Sequence, residues 1–427
     1  MNQSEIKQIE DYFDKLWPIC RSITGNGLRK SFNILSEIIP LKLTEVSTGT
    51  KVFDWEIPNE WNIKEAYIIT PAGDKIADFS INNLHIVNYS LPINKEIGYD
   101  ELIQHLYTLP RLPEAIPYVT SYYKEKWGFC ISQNEFDKLP KEGVYKVFID
   151  AELKPGSLTY GEYILKGSTT DEILLSTYLC HPSMANNELS GPLTLAFLYK
   201  LIKQIPNRKY TYRFVVVPET IGTIAFLYNN KNKLIENVKA GYVITCCGTN
   251  KPFVFKKSRQ GNSIADAAAL NVLKHSNKKY SVINFDPLGS DERQYCSPGF
   301  NLPVGSLMRS KYHEYDEYHS SFDNKKLISF DALNETINMY YSFIKALEIN
   351  DYYKNTIQFC EPNMGKRELY EDLSGAITMP EKLSTRMRLI NYMDGEHNLL
   401  DFCEKYNLSI IDLEEEINLL IKKGIII

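Results

Sequence analysis

With 427 residues, 44% of them hydrophobic, the chain exceeds one ordinary domain of about 100–200 residues and has core enough for two or three. A net charge of −5 supplies no basic field to attract phosphates, which disfavours nucleic-acid binding, and no run reaches the roughly 18 apolar residues of a membrane span. The charged opening MNQSEIKQIEDYFDKLW lacks the apolar stretch of a secretory signal, so a cytoplasmic protein is expected, and eight cysteines without CxxC spacing argue against a disulfide framework or a thiolate zinc site.

The first 40 residues carry apolar positions at helical spacing. ITGNGLRKSFNILSEII places Leu28, Phe32, Leu35, Ile38 and Ile39 on one side of a helix behind a glycine-rich loop, which predicts two helices joined by that loop. From Val46 to about Lys154 the texture changes to short alternating runs, among them KVFDWEIP, EAYIIT, WGFCIS and VYKVFID, cut by turn residues. A β-rich domain inserted into another is expected over 46–154, with His85 and His105 read as packing or surface residues. After Thr159, β-branched runs alternate with amphipathic helices. Strands are expected at YGEYILKG, ILLSTYLC, RFVVVPE, AGYVITC and LPVGSLM. Helices are expected at GPLTLAFLYKLIKQI, through Ala225 and Leu227, at SIADAAALNVLKH, and from about Leu327 to Leu347. This predicts an α/β domain over 1–45 and 155–350, a mixed sheet flanked by helices, with its functional loops at the carboxyl ends of the strands. A polar connector then leads into MRLINYMDGEHNLLDFCEKYNLSIIDLEEEINLLIKKGIII, which resembles a winged helix-turn-helix and completes a third domain over 351–427. Its last helix opens on DLEEEINLL, the wrong sign for facing phosphates, so protein contact or homo-oligomerisation is favoured over DNA reading. His397 reads as a surface residue.

Polar residues fall on the predicted strand ends. His181 follows ILLSTYLC, Glu219 follows RFVVVP, Asp291 lies in DPLGSDERQY, and His313 and His319 lie in HEYDEYHSSFDN. Each alone is explained as a cap or a packing residue. Four unrelated caps, however, have no reason to supply a His, a carboxylate, a second His and a spare Glu. Catalytic zinc takes three nitrogen or oxygen ligands plus water, with a free carboxylate to accept the water's proton. His181, Asp291 and His319 are therefore candidate ligands and Glu219 the candidate general base. Arg293, Arg309, Tyr312, His313, Glu314 and Tyr318 are candidates to line a substrate pocket, Arg293 by clamping a carboxylate or phosphate. Thr24, Asn26 and Arg29 in the glycine-rich loop are weaker candidates.

The order HP…NNELSG, PETIG, GSDERQY and EYHSSFDN resembles the bacterial zinc aminopeptidase superfamily with co-catalytic metals, whose motifs are a His after a strand, NDNxSG, EExG, SD and YHTxxDT. A closer resemblance, over nearly the whole chain, is to aminopeptidase-like proteins encoded beside polysaccharide-biosynthesis genes, through ICRSITGNGLR, the β insertion, CHPS…SGP and the winged helix. The resemblance implies metal ligation by His181, Asp291 and His319 and general base catalysis by Glu219. It also exposes departures. Asn187 stands where the aminopeptidases have an Asp bridging two metals, Thr220 where they have a Glu ligand, and Ser183 where an Asp orients the first His. A neutral amide and a hydroxyl cannot balance two close divalent ions, so one zinc is expected over two. Glu188 is read as an acid in the first turn of the helix near Ser190, with the alternative that it turns inward to replace the lost carboxylate. The expectation is a metal-dependent hydrolase cleaving an amide in a small amino-acyl, short-peptide or acylamino-sugar substrate, in surface glycan biosynthesis. The alternative is a catalytically retired scaffold acting through its winged helix.

Overall fold

The computed structural model describes residues 2–370 and 380–427. The chain forms two units, residues 1–261 with 279–338, and residues 262–278 with 339–427.

The apolar runs become the middle of an eight-stranded sheet. Its strands are β1 (Lys42–Ser47), β2 (Ser157–Leu165), β3 (Glu172–Tyr178), β4 (Thr211–Val217), β5 (Val238–Ile244), β6 (Phe253–Lys256), β7 (Tyr280–Ile283) and β8 (Val304–Met308). The order is β1-β2-β4-β3-β5-β8-β6-β7. β4, β3, β5 and β8 run parallel, while β2 pairs antiparallel with β1 and β4, and β6 pairs antiparallel with β8. Every residue of β3 and β4 is buried, as expected of parallel strands covered on both faces.

Neighbouring residues of β4 show the two covers. Phe214 meets Tyr199 of α3 (Ser190–Lys203) edge to face at 5.4 Å. Val215 and Val217 join Leu174 and Val243 in a core with Ile224, Ala225 and Phe226 of α4 (Ile221–Asn237). Successive strand side chains point to opposite faces, so α3 and α4 lie on opposite sides of the sheet. The N-terminal helices α1 (Gln3–Leu16) and α2 (Asn26–Leu35) are joined by the glycine-rich loop.

Three strands of this sheet escaped the sequence reading. β6 and β7 have four residues each, too short to stand out, and β7 is mostly exposed as well. β1 belongs to the main sheet although it reaches past the expected start of the insertion at Val46.

A second, antiparallel sheet follows the order Lys75–Ile76, Glu60–Ile69, Tyr145–Lys154, Ile93–Ile97. Its inner residues Ala66, Ile68, Val147 and Ile149 share one core with α4 and the α4-facing side of the main sheet.

In the other unit, helices span Glu381–Tyr392, Leu399–Tyr406 and Glu414–Lys422. Residues 425–427 pair in backbone hydrogen bonds with 354–356, the wing of a winged helix-turn-helix. Arg386 clamps Glu416 at 2.6 Å and 3.1 Å inside it. The helix Ile264–His275, expected within the α/β domain, clusters with this unit; Asn271 donates to Leu408 O at 2.9 Å and accepts from Ile410 N at 3.0 Å.

Candidate active site

β3 ends at Tyr178, and three residues later His181 is buried. The chain then turns through Ser183 at φ +45° and makes one wide helical turn over Ala185–Leu189 before α3 begins. Wide turns of this kind recur at functional sites because they re-aim side chains. Here the turn directs Glu188 inward, not to solvent. One Glu188 oxygen accepts from His181 Nδ1 at 2.8 Å and the other from the Cys180 N–H. The expectation of a helix-start acid is thus corrected: Glu188 orients the His181 ring, the task left vacant by Ser183. Gly191 permits the fold, since a Cβ there would lie 2.5 Å from both Ile244 O and Thr177 Oγ1.

His181 presents its remaining nitrogen, Nε2, to Glu219 Oε2 at 3.6 Å. Glu219 follows β4 and is followed by Thr220, a β-branched residue held at φ +64°, a conformation costing about 1–3 kcal/mol. Two contacts hold it there: Thr220 N–H donates to Asp291 Oδ1 at 2.8 Å, and Thr220 Oγ1 accepts from Arg293 at 2.7 Å. Burial raises all the carboxyls of this cluster. Glu188 is pushed up to about 8 and Asp291 to about 6, and Glu219 is raised well above the ordinary range by burial and then by Asp291. Burial, then the nearby Arg21, lowers His181 to about 3.

His319 arrives from the loop after β8 at φ +55°, stacked on Tyr318 at 3.9 Å. Its ring lies 5.4 Å from that of His181. The inserted segment holds this loop: Tyr118 N–H donates to His319 O at 2.9 Å, and Ser321 N–H to Ile116 O at 2.8 Å. Behind it, Asp323 accepts from the N–H groups of Asn186 and Asn187 at 2.6 Å and 2.9 Å and from Tyr315 OH at 3.0 Å. Asn187 donates to Tyr178 OH at 3.1 Å. His181, Glu219, Thr220 and His319 line one cavity of about 290 Å³ with Ile23, Tyr118 and Tyr122.

Other expected site residues lie elsewhere. Arg309 is buried against Thr336, Lys251 O and Glu335, because its guanidinium finds a carboxylate on the following helix. Tyr312 is buried in a network with Lys256 Nζ and Glu292 Oε1, both at 2.7 Å. His313 and Glu314 are exposed outside the cavity, Glu314 pairing with Lys311. Arg29 clamps Glu60 at 2.7 Å and 2.8 Å, Thr24 Oγ1 accepts from Trp61 N–H at 3.0 Å and Asn26 N–H donates to Asn62, so all three tie the N-terminal segment to the second sheet. His85 is buried against Cys130 O, and His397 is exposed.

Sequence reasoning missed Arg21, Cys180, Tyr118 and Asp323. Cys180 Sγ accepts from Glu219 N–H at 3.3 Å, and a cysteine read as packing carries no sign of that. Asp323 had a signal, the final Asp of EYHSSFDN matching the YHTxxDT pattern.

The donors partly fit a zinc ion. His181 keeps Nε2 free while Glu188 fixes Nδ1, the carboxylate–histidine support of metal sites. His319 Nε2, Asp291 Oδ2 and Asn187 Oδ1 are buried without a hydrogen-bond partner. Crowded buried carboxyls are also relieved by a cation. Yet the expected trio does not converge as placed. Among the described residues, the only three-residue set of His, Cys, Asp or Glu donors lying within 4.8 Å of one another is Cys180, His181 and Glu188. Both Glu188 oxygens are already taken and burial pushes the Cys180 thiol well up, so that set is better described as support for His181 than as a coordination sphere.

Residues 10–350 match the family described as Domain of unknown function (DUF4910), and residues 351–427 match the winged helix-turn-helix family. A Clostridium acetobutylicum protein provisionally described as a polysaccharide biosynthesis protein with aminopeptidase-like domain is 46% identical over 398 residues, covering 93% of this chain and 91% of that protein. The crystal structure of a provisionally described peptidase from the same species has a TM-score of 0.92 at 42% identity, covering 99% of this chain and 96% of that one. A zinc aminopeptidase from Bacillus subtilis has a TM-score of 0.57 at 10% identity, covering 80% of this chain and 94% of its own, a likeness of fold alone. The chain therefore belongs to the DUF4910 family, with an aminopeptidase-like α/β fold and a C-terminal winged helix.

Proposed function

We propose that the protein is a metal-dependent hydrolase of aminopeptidase type that cleaves an amide bond in a small amino-acyl or acylamino-sugar substrate. The observation that carries this reading is His181: buried, fixed by Glu188 through Nδ1, and facing Glu219 across 3.6 Å at a substrate-sized cavity. His181, Asp291 and His319 would hold one zinc ion. When bound, zinc supplies a polarised carbonyl and a more acidic water. Glu219 is placed to take the attacking water's proton at Oε2 and pass it to the leaving amine as the C–N bond breaks. Arg293, one residue from contact with Glu219 through Thr220, draws the raised Glu219 back toward its basic form. Asn187 and Thr220 supply no charge for a second ion. A place in surface glycan biosynthesis is proposed from the name of the Clostridium relative alone.

Glu219→Gln is expected to retain its zinc and lose turnover by about 10²–10⁴-fold on a panel of amino-acyl anilides and N-acyl hexosamines. A fully active variant would remove Glu219 from the mechanism. The unclosed donor set supports a second reading, a retired enzyme kept as a scaffold. Elemental analysis of protein purified without chelator separates the two: near one zinc per chain for the hydrolase, none for the scaffold.

A further inference from the structure

The cavity has a wall that this chemistry leaves unused. Trp55, Tyr118, Thr120, Tyr122 and Tyr123 line it, all from the segment 46–154. Trp55 stands on a short hairpin pairing Lys51–Val52 with Trp55–Glu56. The hairpin is pinned by Phe53, whose ring meets Tyr228 and Phe300 edge to face at 5.3 Å and 5.9 Å, and by fully buried Val52. Trp55 and Tyr123 lie edge to face at 5.5 Å but remain 39% and 54% exposed. Two large rings are thus held in place at a cavity with much of their surface still open to a ligand.

The wall's chemistry narrows the ligand. Its residues offer aromatic faces and hydroxyls, including the Tyr118–Tyr122 pair at 2.7 Å, and no charged group. The α-ammonium of an amino-acyl substrate would need an anion, and the only carboxylate lining the cavity, Glu219, is committed to the proton transfer. A pyranose needs none: its axial C–H faces lie on aromatic rings and its hydroxyls meet the phenol and threonine hydroxyls.

We propose that Trp55 and Tyr123 form a sugar subsite that stacks the ring of a neutral acylamino sugar and so presents its amide to Glu219. The inference rests on the hydrolase reading for the position of the amide, but binding tests it separately. The probe is methyl N-acetylglucosaminide, titrated into full-length wild type and Glu219→Gln, each with zinc and with chelator, and followed by tryptophan emission and saturation-transfer NMR. Leucinamide is the comparator. Expected are binding of the sugar by both proteins, no competition by leucinamide, about tenfold weaker binding in Trp55→Ala, and near-wild-type binding in Trp55→Phe. Absent sugar binding, preferred binding of leucinamide, or undiminished binding by a folded Trp55→Ala would overturn the subsite. Binding without turnover in the zinc-loaded wild type removes hydrolysis of the acylamino sugar and leaves the subsite standing. Turnover with binding unaffected by Trp55→Ala does the reverse.

Discussion

Arg21 is fully buried, and its hydrogen bonds go to carbonyls: Nε and Nη2 to His181 O at 3.2 Å and 3.0 Å, and Nη1 to Leu16 O at 2.7 Å. Its charge therefore acts at a distance, on Glu188, where it opposes the effect of burial. Leu16 O keeps the Ile19 N–H, so Arg21→Met leaves one carbonyl, that of His181, unpaired and Glu188 without a nearby cation, and should cost about 2–4 kcal/mol in urea unfolding. Glu188→Gln should keep the fold but weaken zinc binding by about 10–100-fold, because the ring of His181 loses its carboxylate support. Restoring charge should do the opposite: with the single zinc proposed above as the starting count, the pair Asn187→Asp and Thr220→Glu is expected to raise it to two by elemental analysis. Asp323 gives a pH test. Burial raises it from 3.8 to about 6, so the folded state holds this proton more tightly than the unfolded chain. Its contribution is complete below the unfolded value and is lost as pH rises through about 6. The stability of wild type relative to Asp323→Asn should therefore shrink between about pH 4 and about pH 7 in metal-free protein. That His181, Glu219 and His319 share one cavity was legible because each follows a strand in a recognisable order. Arg21 was not, because a backbone carbonyl as partner leaves no mark in the sequence. Arg309 and Tyr312 were misread because a polar loop residue looks the same whether it faces substrate or a buried partner.

At the scale of elements, strand ends deliver the site and connections tune it. β3, β4 and β5 announced themselves through runs rich in apolar and β-branched residues, whereas β6 and β7 were too short to do so. The wide turn at 185–189 was also hidden, since five residues of loop and five of a widened helix read alike until Glu188 is seen pointing inward. The helix Ile264–His275 offers a test of the smaller unit by itself. Asn271 holds two backbone groups of the winged-helix segment, so Asn271→Ala should destabilise that unit by about 1–2 kcal/mol, read by hydrogen exchange at Leu408 to Ile410.

At the scale of the molecule, the order of textures, helical, β-rich, alternating and helical again, was enough to read the fold class. Where one unit stops and the next begins was less legible, because residues 262–278 leave their sequence neighbours to cluster with 339–427. Truncation after residue 350 would remove the helix Leu399–Tyr406 that packs on Ile264–His275, and should give a protein that aggregates on mild heating where the full chain does not. The pairing of 116–118 with 319–321 has a consequence for how such proteins can diversify. The segment 46–154 lines the cavity with Trp55, Tyr118, Tyr122 and Tyr123, and it also splints the loop that bears His319. Grafting a foreign segment in its place to reshape the cavity would therefore have to reproduce that short splint, or His319 would lose its brace.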